Sequence, residues 1–121
     1  MPGVLLLEDR EPICTTVSDA LTDAGYDVVT RTNEIGALRL LADEEPELVV
    51  ADWRPDETSA ERVIAAARML HRHLPVIVIT NNAAYIRDHI DPGDRLTRVL
   101  EEPLRVDALI ALAEAMLPDR R

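Results

Sequence analysis

The sequence predicts an α/β fold in which a single parallel β-sheet carries helices on both faces. Five short apolar runs alternate with five segments whose apolar residues recur at helical spacing. The runs are continuous rather than alternating, which is typical of parallel strands buried on both sides. The alternation over 121 residues predicts one doubly wound domain, residues 1–121, with right-handed crossovers. The predicted strands are residues 4–7, 26–30, 48–51, 76–79 and 96–100.

The first two predicted helices have clear boundaries. Pro12 suits a first helical turn, and Gly25 follows the last apolar position of the first helix. The second helix contains Ile35 and Leu41 at helical spacing and must end before Pro46, because proline cannot continue a helix.

The remaining helices follow the third, fourth and fifth strands. Thr58 and Glu61 have the spacing of a capping box, so the third helix is predicted to begin there. A short fourth helix over residues 82–90 ends at the turn-forming residues 91–94. The fifth helix precedes a tail, residues 118–121, that is expected to fray. The third helix is predicted to carry Val63, Ala67, Leu70 and Leu74 on its inner face.

Charge and composition restrict the partners. The chain has 23 acidic and 13 basic residues, a formal net charge of −10, and every basic residue is arginine. Binding to DNA or RNA depends on cations that neutralise phosphates, so no nucleic-acid partner is expected. Without lysine, neither a P-loop nor a lysine Schiff base can form. No run approaches the roughly 18 apolar residues of a membrane span and no signal peptide is present, so a cytoplasmic protein without a membrane partner is expected.

Acidic and hydroxyl side chains follow the predicted strands. Glu8 and Asp9 follow the first strand, Asp52 the third, Thr80 the fourth and Glu102 the fifth. In open doubly wound sheets, ligands bind at the carboxyl ends of the strands, near the point where the strand order reverses. Several carboxylates at that edge would provide the hard oxygen ligands that Mg²⁺ prefers.

Four segments lie around these strand ends: residues 4–9 (VLLLED), 48–55 (LVVADWRP), 75–80 (PVIVIT) and 99–103 (VLEEP). Together they resemble the receiver domain (CheY-like) of bacterial two-component response regulators. The similarity covers essentially the whole chain, in order and with the family's spacing. The resemblance implies a flavodoxin-like (βα)5 fold with strand order 2-1-3-4-5. It also implies a signalling domain rather than an enzyme, with at most its own phosphorylation and dephosphorylation.

The resemblance also implies a role for each matching residue. Asp52 matches the phosphoacceptor. Asp9 and Asp52 match the carboxylates that hold Mg²⁺, with the backbone carbonyl of Arg54 as a third ligand and Glu8 acting on the ion through water. Thr80 matches the hydroxyl residue that hydrogen-bonds the phosphoryl oxygen.

Glu102 is the main departure from the family pattern. The family has a lysine at this position, whose ammonium pairs with the phosphoacceptor and then with the phosphoryl group. A carboxylate there is expected to repel the phosphorylated Asp52, at a cost of about 1 to 3 kcal/mol, unless a cation or an arginine intervenes. Arg10 and Arg54 are the nearest residues that could replace the lost cation, but two solvated arginines are the expected arrangement.

Three further positions depart from the pattern. Val99 stands where the family usually has an aromatic switch residue, so no switching rotation is expected. Asn81 replaces a small residue and is expected to narrow access to the site, and Ala60 replaces a loop glycine. The Glu102–Pro103 bond is expected to be cis, as the equivalent bond is in the family.

Two functional hypotheses follow. The first is a single-domain response regulator that receives a phosphoryl group from a histidine kinase or phosphotransfer protein and acts on a downstream protein by contact. The resemblance assigns that contact, or a homodimer, to the face formed by helix 4, strand 5 and helix 5, including Arg98 and Arg105. The second is a phosphorylation-independent pseudo-receiver, an interaction or dimerisation module, which Glu102 and Val99 favour. A Mg²⁺-dependent phosphatase of the haloacid-dehalogenase type is not expected, since its Asp-x-Asp motif and lysine are missing.

Overall fold

The computed structural model describes residues 3–117, which form five parallel strands and five helices. The predicted strand boundaries are correct to within one residue. The predicted tail at 118–121 lies outside the described residues. The strands are β1 (Gly3–Leu7), β2 (Asp27–Arg31), β3 (Leu48–Asp52), β4 (Val76–Thr80) and β5 (Thr97–Glu101). The helices are α1 (Glu11–Asp23), α2 (Glu34–Asp43), α3 (Ser59–Leu70), α4 (Ala83–Asp88) and α5 (Val106–Met116).

The sheet has the order β2-β1-β3-β4-β5, with every neighbouring pair parallel, which confirms the predicted fold. From β1 the chain first adds β2 on one side and then β3 on the other. The strand order therefore reverses between β1 and β3, and this is where a doubly wound sheet opens a crevice at its carboxyl edge.

The core consists of two apolar layers, one on each face of the sheet. Alternate residues of a strand point to opposite faces. Leu5 and Val49 belong to the layer covered by α2, α3 and α4. Leu6, Val50 and Ile77 belong to the layer covered by α1 and α5. The three central strands are buried on both sides, as their continuous apolar runs predict.

Two predictions for α3 are wrong. Thr58 precedes the helix, but its backbone is helical (φ −112°, ψ −6°) and its side chain forms no capping hydrogen bond. A capping side chain reaches the first amide groups from an extended backbone, so the Thr58–Glu61 capping box does not form. Leu70 is the last residue of α3 and is 53% exposed, and Leu74 is buried but lies beyond the end of the helix. The buried face of α3 therefore ends at Ala67.

Helix termini are instead capped by asparagine and glycine. Asn33 and Asn82 precede α2 and α4, and their side chains accept hydrogen bonds from the amides of Gly36 and Tyr85. Gly25 follows α1 with φ 99°, a left-handed conformation that glycine adopts without a steric penalty. These caps place the helix starts directly after the strand ends.

An arginine links the amino ends of the last two strands. The Arg68 guanidinium donates hydrogen bonds to the Leu74 carbonyl, to Thr97 Oγ1 at 2.7 Å and to the Asp94 carboxylate. Asp94 also accepts a hydrogen bond from the Thr97 hydroxyl at 2.6 Å. These contacts fix the loop before β5 against the loop before β4.

The Glu102–Pro103 peptide bond is cis, as predicted. Within residues 3–117, none of the helices is long and apolar enough to span a membrane.

Candidate functional site

The predicted site residues meet at the carboxyl edge of the sheet. Asp52 and Thr80 are the last residues of the neighbouring strands β3 and β4, and Glu8 and Asp9 directly follow β1. Glu102 directly follows β5, and its amide donates a hydrogen bond to the Thr80 carbonyl at 2.8 Å. Topology thus brings together residues that are widely separated in the sequence.

Three carboxylates form the centre of the site. Glu8, Asp9 and Asp52 each offer an oxygen within 4.8 Å of the others. Glu8 is buried, Asp9 is exposed, and the Asp52 side chain is only 6% exposed. A small cleft of about 40 Å³ opens beside them and is also lined by Glu57 and Ser59. That volume accommodates an ion or a water molecule but no organic ligand of ordinary size.

Arg10 lies across these acids instead of extending into solvent. Its backbone amide and Nε donate to Glu8 Oε2 at 3.0 and 3.2 Å. Its Nη2 is 3.2 Å from Asp52 Oδ1 and 2.8 Å from Glu102 Oε2. One guanidinium therefore contacts carboxylates from three strand ends.

Arg54 also binds Asp52 and Glu102, two of the three acids that Arg10 contacts. Its Nη1 and Nη2 donate to the two carboxylate oxygens of Glu102, both at 2.9 Å. Its Nε lies 3.2 Å from Asp52 Oδ1 and 3.3 Å from Oδ2. The backbone carbonyl of Arg54 accepts a hydrogen bond from the Glu57 amide at 3.0 Å, and its second lone pair stays available.

One expectation about charge is therefore wrong: Arg10 and Arg54 are not two solvated arginines. Both pair with Glu102, which meets the condition under which its repulsion of Asp52 is expected to be offset. Each arginine follows a site acid by two residues, which is the only sequence indication of the pairing. The pairing itself depends on the convergence of β1, β3 and β5, which charge patterns along the chain do not reveal.

The pKa values of the paired acids shift in opposite directions. Burial raises the pKa of Asp52 to about 6; the nearby charge of Glu8 adds to the increase, and Arg54 and Arg10 only partly oppose it. Burial also acts to raise the pKa of Glu102, but hydrogen bonds from Arg10 and Arg54 outweigh it and hold that pKa below its usual value. Glu102 is thus the more firmly ionised partner of the arginines.

Thr80 is buried at the end of β4, and its hydroxyl accepts a hydrogen bond from the Asn82 amide at 3.1 Å. Among residues 3–117 no hydrogen bond joins it to Asp52. Asn81 is exposed and is not among the residues that line the small cleft, and its effect on access to Asp52 stays a prediction. Ala60 lies within the apolar layer covered by α2, α3 and α4, and Val99 packs against that layer.

Known proteins similar to this chain are bacterial regulators. The chain is 35% identical over 110 residues to the transcriptional regulatory protein GlrR of Escherichia coli K12, a match that covers 89% of the chain and 24% of that protein. It is 31% identical over 109 residues to the response regulator protein FleR of Pseudomonas aeruginosa, covering 90% of the chain and 23% of FleR. The chain thus spans about a quarter of the length of these relatives. No family model matches the sequence.

Solved structures give a match over the whole length. A response regulator receiver protein from Sinorhizobium medicae superimposes with a TM-score of 0.85 at 25% identity, covering 98% of this chain and 96% of that one. The receiver domain of NtrX from Brucella abortus gives 0.83 at 26% identity, covering 96% and 98%. This chain is a receiver domain of the response-regulator family. Its strand order 2-1-3-4-5 is the order that the resemblance to the family implied.

A further structure shares the fold of this receiver domain. The receiver domain of the sensor histidine kinase PA1611 from Pseudomonas aeruginosa, solved with a magnesium ion coordinated in its active-site cleft, gives a TM-score of 0.83 at 20% identity. The match covers 98% of both chains. Receiver domains act in two-component signalling, and this chain is a signalling domain of that class.

Proposed function

We propose that this receiver domain accepts a phosphoryl group on the Asp52 carboxylate and passes the signal on by protein contact. The supporting observation is the position of Asp52. It ends the central strand β3, is nearly excluded from water, and lies within 4.8 Å of oxygens from Glu8 and Asp9. A desolvated carboxylate among oxygen ligands and guanidinium donors is suited to phosphoryl transfer, which needs positioning and charge stabilisation above all.

The transfer requires no proton from the protein. A carboxylate oxygen of Asp52 attacks phosphorus, and the bond from phosphorus to the donor's oxygen or nitrogen breaks with its electron pair leaving on the donor. The product is an acyl phosphate on Asp52. Thr80, at the end of the adjacent strand, supplies a hydroxyl that can hydrogen-bond a phosphoryl oxygen after a rotation of its side chain.

The donor set fits Mg²⁺, which prefers oxygen ligands and retains several waters. Asp9 and Asp52 would bind the ion directly with the Arg54 carbonyl, and Glu8 would hold a bound water. Asp9 accepts no side-chain hydrogen bond from residues 3–117, so it can bind the ion directly without breaking a contact to another side chain. The bound ion would offset charge on the phosphoryl oxygens. The magnesium ion in the PA1611 receiver domain supports this assignment.

The phosphoryl donor would be a histidine kinase or a phosphotransfer protein, and the output partner a protein or a second copy of this chain. A shallow hollow of about 480 Å³ on the α4, β5 and α5 face supports the output surface, with Arg87, Arg98, Val99 and Leu112 among its lining residues. The net charge of −10 argues against nucleic acid as the direct partner.

The decisive experiment incubates the chain with Mg²⁺ and acetyl phosphate and measures the acyl-phosphate mass shift. Labelling of wild type and its loss in Asp52→Asn are expected. The matched control is Asp56→Asn, which removes an exposed carboxylate from the loop after β3 and should label as wild type does.

Absence of labelling in wild type, together with no Mg²⁺-dependent response to beryllofluoride, would overturn the proposal. The chain would then be the alternative, a phosphorylation-independent interaction or dimerisation module. Labelling that persists in Asp52→Asn would place the acceptor elsewhere.

A further inference from the structure

Glu102 is the shared anchor of the two arginines that reach Asp52. Arg54 binds both of its carboxylate oxygens at 2.9 Å, and Arg10 binds one of them at 2.8 Å. Both guanidiniums also contact Asp52 Oδ1 at 3.2 Å. A single carboxylate at the end of β5 therefore connects two cations to the residue at the end of β3.

The contact between Arg54 and Glu102 fixes the direction of the guanidinium. Two parallel N–H···O bonds hold the plane of an arginine more firmly than one bond holds a lysine ammonium. With Nη1 and Nη2 committed to Glu102, the Nε edge of Arg54 faces Asp52. The Arg54 side chain is only 15% exposed, so water competes little for these bonds.

The formal charge of the cluster supports a replacement of the family lysine by the two arginines. The four carboxylates of Glu8, Asp9, Asp52 and Glu102 and the guanidiniums of Arg10 and Arg54 leave two negative charges uncompensated. Three carboxylates with one lysine, the family pattern, leave the same two. Relative to that pattern the site has gained one acid and has two arginines in place of one lysine, so its formal charge is the same and it can still accommodate a divalent cation.

We propose that Glu102 is a positioning residue that holds Arg54 and Arg10 against Asp52, and that these guanidiniums replace the family lysine in stabilising the transferred phosphoryl group. The proposal rests on the phosphoacceptor role of Asp52. Arg54 and Arg10 contact the reacting carboxylate, whereas Glu102 acts through them.

The proposal predicts an effect of Glu102→Gln opposite to the one predicted by simple charge repulsion. If Glu102 only repelled the phosphoryl group, its neutralisation would speed labelling. If it orients the arginines, neutralisation weakens the charge-assisted hydrogen bonds that Arg54 and Arg10 donate to it, and labelling becomes slower. The direction of the change therefore distinguishes the two accounts.

The experiment measures the rate of Asp52 labelling against acetyl phosphate concentration, in Mg²⁺, for wild type, Glu102→Gln and Arg54→Gln. A fall in the maximal rate of about tenfold or more is expected for both variants, because donors aimed at developing charge act mainly in the transition state. Arg54→Lys should be labelled faster than Arg54→Gln but more slowly than wild type, since lysine restores a cation but cannot form the paired hydrogen bonds of the guanidinium to Glu102. Matched controls are Glu101→Gln, the neighbouring acid, and Arg62→Gln, an exposed arginine paired with Glu34.

A second readout separates positioning from loss of structure. Beryllofluoride affinity, followed by the fluorescence of Trp53, the only tryptophan and the neighbour of Asp52, should weaken about tenfold in Glu102→Gln while circular dichroism stays unchanged. In the double variant Glu102→Gln with Arg54→Gln, the two losses should be less than additive, because Glu102 acts largely through Arg54.

Unchanged or faster labelling of Glu102→Gln would overturn the positioning role, as would fully additive losses. A fall in rate equal to that of Glu101→Gln and Arg62→Gln would also overturn it. A wild-type chain that cannot be labelled at all would overturn the phosphoacceptor role itself, and with it this proposal, which is a distinguishable result.

Discussion

Burial and the two neighbouring arginines shift the pKa of Asp52 in opposite directions. Burial has the largest influence and raises its pKa to about 6, with Glu8 acting in the same direction. The guanidiniums of Arg54 and Arg10 oppose this without cancelling it. The residue is therefore partly protonated in mildly acidic solution and ionised near neutral pH, and the ionised form is the one that the proposed phosphoacceptor role requires.

This shift predicts a pH-dependent stability. Because the folded-state pKa of Asp52 lies above its unfolded value of 3.8, the folded state binds more protons between the two values. The contribution of Asp52 to the free energy of unfolding is fully present below the unfolded-state pKa of 3.8. It is lost as the pH rises through the folded-state pKa of about 6. Relative to Asp52→Asn, wild type should lose about 1 to 3 kcal/mol between pH 4 and pH 7. Urea unfolding in EDTA at several pH values measures this difference.

The control for the pH experiment is Asp56→Asn, which should leave the wild-type pH profile unchanged. A constant difference between wild type and Asp52→Asn from pH 4 to pH 7 would contradict the assigned pKa shift.

At the residue scale the sequence predicts which side chains gather but not how they pair. The positions of Glu8, Asp9, Asp52 and Thr80 follow from the strand ends, because parallel strands end at one edge. The pairing of Arg10 with Glu102 depends on side-chain conformations in the loops after β1 and β5, two strands that are not neighbours in the sheet. A single long guanidinium can reach three acids, so charges taken position by position do not reveal that two arginines pair with Glu102.

At the scale of elements, the two apolar layers hold the strand ends in register. Ile77 in β4 is fully buried in the layer of α1 and α5, whereas Met69 in α3 is 86% exposed. Ile77→Ala should lower the free energy of unfolding by about 2 to 5 kcal/mol, because it removes buried methyl groups and leaves a cavity. Met69→Ala should change it by less than about 0.5 kcal/mol. Urea denaturation measures both, and equal losses would contradict the assigned layers.

Periodicity and length predicted every strand and helix because each central strand is a continuous apolar run between turn-forming residues. The errors lie at the ends of α3. Apolar spacing alone extends the inner face to Leu74, but the helix ends at Leu70 and its buried face at Ala67. Residue spacing alone also suggests a capping box at Thr58, but the backbone there is helical rather than extended.

At the scale of the whole molecule, ion binding at one edge should stabilise the entire fold. A ligand that binds only the folded state adds about 2.7 kcal/mol at a hundredfold excess over its dissociation constant. Mg²⁺ should therefore raise the melting temperature in a concentration-dependent manner, and EDTA should reverse the rise. Asp9→Asn should abolish the effect with little cost of its own, because Asp9 is exposed.

Calorimetry with increasing Mg²⁺ tests this, with Asp27→Asn at the opposite, amino edge of the sheet as the control. An equal rise in Asp9→Asn and wild type would exclude Asp9 as a ligand.

The edge strand β5 is secured at both ends by arginine. Arg68 binds Asp94 and Thr97 at its start, and Arg10 and Arg54 bind Glu102 just after its end. Guanidinium chloride, a common denaturant, delivers the same planar cation in free form, so it competes for these carboxylates before it dissolves the apolar layers. Urea carries no charge and leaves them paired. The two denaturants should therefore dismantle this molecule in a different order, with β5 the first strand to loosen in guanidinium chloride.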